Sequence, residues 1–133
     1  MERRILVQLK RWKKSGNRKP LILNGVRQVG KTWALKEFGR TCYRNVAYFN
    51  FEEHAEYRQF FETTKDVRRI LQNLAMAGAQ KIDPEDTLIV FDEIQECPDA
   101  LTALKYFCEN APEYHLACAG SLLGVMLAKT ASF

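Results

Sequence analysis

The sequence predicts a three-layer α/β/α fold built on a mostly parallel sheet. Three observations carry this. Leu88-Ile89-Val90-Phe91 is a continuous apolar run, as in a strand buried on both faces. Short apolar or β-branched runs alternate with amphipathic segments along the whole chain. A glycine-flanked loop links the first such run to a helical pattern.

Residues 3–14 place Ile5, Leu9 and Trp12 at helical spacing beside Leu6, with basic residues on the other face. Ser15-Gly16-Asn17 stops that helix. Leu21-Ile22-Leu23 reads as a buried strand. Lys31 to Phe38 suits a helix, with Gly39 as its stop. Val46 to Phe51 reads as a second strand. Residues 53–61 read as helical. Val67, Ile70, Leu71 and Leu74 mark a clear amphipathic helix. Asp83-Pro84 is a turn, and Leu88 to Phe91 is the third strand. Pro98 opens another helix with Leu101, Leu104 and Cys108 inward. Tyr114 to Ala119 is a fourth strand, and residues 121–128 begin a further helix. The order is α-β-α-β-α-α-β-α-β, with no repeat, low-complexity tract or linker.

At 47% hydrophobic and 27% charged, 133 residues suit one globular domain. No apolar run approaches the roughly 18–20 residues of a membrane helix, and no secretory signal pattern is present. Cys42, Cys97, Cys108 and Cys118 form no C-x-x-C pair and no zinc-like spacing with the two histidines. A reduced, cytoplasmic compartment is the simplest expectation. Residues 1–20 carry eight Lys/Arg against one Glu, a net +7, while the remainder is −3. Such a basic face could meet nucleic-acid phosphates, but a charge run is more often a solvated surface.

Gly25-Val26-Arg27-Gln28-Val29-Gly30-Lys31-Thr32 matches G-x-x-x-x-G-K-[ST]. The glycines let the backbone turn its N–H groups towards phosphate. The helix that follows aims its N-terminal dipole at the same anion. Lys31 reaches the β- and γ-phosphates, and Thr32 places a hydroxyl on Mg2+. Arg27 touches phosphate or pairs with a nearby acid, the latter being favoured. Trp33 adjoins the loop and serves core or lid packing more readily than adenine stacking.

Such a loop needs an acidic residue at the end of a nearby buried strand. Asp92 fits as the Mg2+ partner. Glu93 fits as the general base for an attacking water, which favours hydrolysis over phosphotransfer. Glu52, Glu53 and His54 follow the second strand; they could position water, but a solvated loop is the favoured reading. His115, on a strand, reads as structural.

With these stretches in hand, the chain resembles the AAA-type ATPases, in the additional-strand group of P-loop NTPases. More closely, it resembles bacterial and archaeal AAA-family ATP-binding proteins that carry a C-terminal domain of unknown function. Asn24 to Thr32, Leu88 to Gln95 and Ala119-Gly120-Ser121 carry the likeness. The resemblance implies ATP and ADP as ligands, Mg2+ as cofactor, and an oligomeric neighbour or protein partner. It implies that Ser121 reads the γ-phosphate, although alanine replaces threonine at position 119. Helix N-capping is the rival role for Ser121. It also implies that residues 1–133 are the N-terminal part of an ATPase domain, truncated after the fourth strand, with lid and C-terminal domain absent. The expected function is Mg2+-dependent ATP binding and hydrolysis, with binding stronger than hydrolysis in this piece. A nucleotide-dependent switch or binding module, a P-loop phosphotransferase and a non-hydrolysing scaffold are the alternatives.

Overall fold

A computed structural model describes residues 2–15, 19–23 and 29–120. Its elements follow the expected order: α1 (Glu2–Lys13), β1 (Leu21–Leu23), α2 (Val29–Cys42), β2 (Asn45–Asn50), α3 (Gln59–Thr63), α4 (Val67–Gly78), β3 (Thr87–Asp92), α5 (Pro98–Asn110) and β4 (His115–Ala119). The helix expected over residues 121–128 lies outside the described residues.

The four strands form one sheet in the order β1-β4-β3-β2, and every described pairing is parallel. Alternation along the strands divides the core in two. Ile89 and Phe91 of β3, with Leu116 and Cys118 of β4, face a cluster built with α3, α4 and α5. Leu88 and Val90 of β3, with Ala117 and Ala119 of β4, face Leu9 of α1 and Leu35 and Phe38 of α2. Helices therefore cover both faces, giving the three layers.

Phe91 centres the first cluster. Its ring lies edge-on to those of Phe49, Phe51, Phe61 and Phe107, with centroids 5.3–6.2 Å apart. Pairs of this geometry contribute about 0.5–1.5 kcal/mol each beyond their burial. The second cluster is sealed by α1. Trp12 meets Phe38 and His115 edge-on and donates its Nε1–H to the Lys19 carbonyl at 2.7 Å. Buried His115 shares a 2.6 Å hydrogen bond with the Tyr43 hydroxyl, which bears out its structural reading. All four cysteines are free thiols. Burial pushes the Cys97 thiol up to about 11 and raises that of Cys118 as well.

Three local expectations are corrected. Gly39 does not stop α2, which runs on to Cys42. The glycine instead permits close contact between layers: a Cβ there would stand 2.1 Å from Val46 Cγ2 and 3.2 Å from Leu88 Cδ2. Residues 53–61 are not one helix but a 3-10 turn, Ala55–Arg58, followed by the five-residue α3. Tyr57 of the turn and Phe61 of α3 are both buried in the core. Cys108 is half-buried and lines a groove of about 440 Å³ with Pro20, Ile22 and Leu104, while Phe107 takes the inward position.

Val46 is β-branched and stiff at χ1, so it has no easy escape from an added methyl. Gly39→Ala should therefore destabilise the fold by about 1–3 kcal/mol, read as a lower denaturant midpoint. Adding Val46→Ala should recover much of that loss. An unchanged midpoint for the single variant would contradict the packing described.

Candidate active site at the carboxyl edge of the sheet

In parallel sheets with flanking helices, ligands bind beyond the carboxyl ends of the strands. The relevant ends here are Leu23, Asn50, Asp92 and Ala119. Strand β1 ends at Leu23, and α2 begins at Val29. Gly25, Val26, Arg27, Gln28 and Ser121 lie outside the described residues, as do the side chains of Val29 and Lys31. The backbone places Val29, Gly30, Lys31 and Thr32 in the first turn of α2.

Thr32 and Asp92 meet across 60 positions of sequence: the Thr32 hydroxyl donates to Asp92 Oδ2 at 2.9 Å. Asp92 is 4% exposed. A carboxylate so buried needs several donors, because burying a charge without compensation is costly. It has them. Oδ1 accepts the Glu93 backbone N–H at 2.9 Å, and Oδ2 also accepts the Tyr48 hydroxyl at 2.5 Å. The β2–β3 register sets Asn50 opposite Asp92 and Tyr48 opposite Val90. Tyr48, Asn50 and Asp92 therefore share the α2 face.

Sequence reading singled out neither Tyr48 nor Asn50. Asn50 is nearly buried and ties the strand end together. Its Nδ2 donates to the Tyr48 hydroxyl at 3.3 Å, and its Oδ1 accepts the N–H groups of Glu52 and Glu53 at 2.9 and 3.0 Å. The turn that follows exposes Glu52, Glu53 and His54, in keeping with a solvated loop. Two polar residues spaced i, i+2 at the end of an apolar strand were the available signal.

Glu93 follows Asp92 in the left-handed region, at φ 53° and ψ 47°. This conformation ends β3 and starts the 3-10 turn Ile94–Glu96. Such backbone in a non-glycine residue costs on the order of 1–3 kcal/mol and concentrates at functional sites. Gln95 Nε2 donates to Glu93 Oε1 at 2.8 Å, holding the carboxylate beside the buried acid. Trp33 is 44% exposed and joins neither core cluster among the described residues.

A family model described as an AAA domain matches residues 17–133. The chain belongs to the AAA domain family. As a member, it is a nucleotide-binding, ATPase-like module with an α/β fold. No curated protein matches it. Among the described residues, no helix of this AAA domain is long and apolar enough to cross a membrane.

The donors present suit a hard cation. A hydroxyl and a carboxylate are the oxygen ligands Mg2+ prefers, and that ion commonly completes its shell with water and substrate phosphate. Among the described residues no group of three or more His, Cys, Asp and Glu forms a self-sufficient cage. Thr32 and Asp92 are thus equipped for an ion that arrives with a polyphosphate.

If the left-handed Glu93 is strained for function, glycine should relax it. Glu93→Gly should be more stable than Glu93→Ala by about 1 kcal/mol. Thermal unfolding of the two variants side by side checks this, and equal melting temperatures would remove the strain.

Proposed function

We propose that this AAA domain binds ATP with Mg2+ and hydrolyses it. The observation that carries the reading is the Thr32–Asp92 hydrogen bond, which joins the end of the glycine loop to the buried acid. In this reading the amides of Gly25 to Thr32 cradle the phosphates at the positive end of α2. Lys31 binds the β- and γ-phosphate oxygens, and Trp33 borders the nucleotide. Thr32 would hold Mg2+ directly, and Asp92 would hold it through water. When bound, the ion neutralises charge developing on the phosphates. Glu93 takes the proton from the attacking water, its carboxylate oriented by Gln95. Ser121 senses the γ-phosphate, and ADP is the product retained or released. A neighbouring subunit or protein partner completes the charge stabilisation.

The support for hydrolysis is the placement of Glu93. A phosphotransferase needs no water-activating carboxylate one residue beyond the metal-holding acid, whereas a hydrolase does. Backbone strain at that residue is in keeping with a catalytic position.

Two substitutions separate binding from turnover. Lys31→Ala should weaken ATP binding at least 10-fold in equilibrium titration. Glu93→Gln should keep ATP affinity within a few-fold while phosphate release falls by about 10²–10⁴. Unaltered affinity in the first variant would refute the phosphate site. Unaltered turnover in the second would refute the base, and ADP formation only with an added acceptor, without release of free phosphate, would make the enzyme a phosphotransferase.

A further inference from the structure

A carboxylate offers about four lone-pair positions. Among the described residues, three positions on Asp92 are taken: one on Oδ1 by the Glu93 N–H, and two on Oδ2 by Thr32 and Tyr48. Among the described residues, one position on Oδ1 has no donor. The Tyr48 contact is the shortest of the three, at 2.5 Å. It is also the only one that comes from neither the glycine-loop helix nor the acidic turn.

Tyr48 is itself held on several sides. The Gln80 side chain bonds both of its backbone polar groups: Tyr48 N–H donates to Gln80 Oε1 at 2.7 Å, and Gln80 Nε2 donates to the Tyr48 carbonyl at 2.8 Å. This amide stands in for a neighbouring strand at the outer edge of β2. The ring carries the Lys36 ammonium 4.2 Å from its centroid, and Asn50 donates to the hydroxyl.

We propose that Tyr48 is a positioning residue for the metal site: its hydroxyl locks the Asp92 carboxylate so that a single Oδ1 lone pair is presented to the water shell of a nucleotide-bound divalent cation. This rests on the nucleotide reading above. Without the Tyr48 hydroxyl, among the described residues Oδ2 would keep only Thr32 and Oδ1 only the Glu93 amide, a looser hold on the carboxylate. A locked carboxylate offers one direction only, at no ordering cost when the ion arrives. Partners of metal-holding groups at this remove typically alter metal affinity 10–100-fold when removed.

The test is a Mg2+ titration of a fluorescent ATP analogue bound to the full chain, with parallel titrations in EDTA. Tyr48→Phe keeps the ring and the lysine contact and removes only the hydroxyl. The half-saturating Mg2+ concentration should rise about 10-fold, with affinity in EDTA unchanged. In an Asp92→Asn background, Tyr48→Phe should add no further shift. No shift in the first background, an equal shift in both, or an equal loss in EDTA would overturn the proposal. Should the variant not fold, the unsubstituted chain labelled at tyrosine Cζ gives the reading. One tyrosine carbon signal should move when Mg2+ is added to nucleotide-loaded protein, and none moving would overturn the proposal. Failure of the nucleotide reading is distinguishable, because the unsubstituted chain would then not bind the analogue with or without Mg2+.

Discussion

Strand β3 is buried at every residue from Thr87 to Asp92, and its backbone therefore has to find partners on both sides. An unpaired buried N–H or C=O costs about 1–3 kcal/mol. The ladders to β2 and β4 meet that demand and in doing so fix where β3 ends. The pairing with β2 runs to Asn50 opposite Asp92, and the Phe51 N–H still bonds the Asp92 carbonyl at 3.1 Å. Asp92 is thereby anchored as the last residue of a rigid strand. Everything at the carboxyl edge takes its position from that anchor, including Thr32, Tyr48 and the turn at Glu93.

Packing of α2 is the second constraint, and it follows from the first. Thr32 can reach Asp92 only if the helix lies close to the strands. Gly39, two turns further on, allows that approach because nothing bulkier fits beside Val46 and Leu88. Leu35 and Phe38 fill the space on either side. The helix is thus pressed onto the sheet by apolar burial, while its first turn points into a polar edge. One element serves core and site at once, which makes its position sensitive to a single methyl group.

The polar edge is organised around economy of donors. Asp92 is compensated by a backbone amide and two hydroxyls, not by a cation among the described contacts. An arginine or lysine paired with it would neutralise the charge and lower its use to a metal ion. Hydroxyls stabilise the carboxylate but leave its charge in place. Glu93, held by Gln95 in a strained turn, adds a second carboxylate next to the first without burying it equally. The two acids thus occupy unlike surroundings.

Much of this was legible in the residues. The helix that carries Thr32, the apolar run ending in Asp92-Glu93 and the alternation of strands with helices all depend on spacing within short stretches, where local chemistry suffices. The element order followed from periodicity alone. What the sequence could not decide was contact between distant segments. That Thr32 bonds Asp92 depends on strand order β1-β4-β3-β2, and that Tyr48 bonds it depends on the β2–β3 register. A slip of one residue would turn Tyr48 to the opposite face. Gly39 shows the same limit: locally a glycine looks like a helix stop, and only the neighbouring strand reveals it as clearance. By itself, then, the sequence determined the order of the elements and which polar groups were candidates for a site, because identity and spacing are local. The tertiary structure alone decided which of them meet, because register and layer packing depend on the whole chain at once.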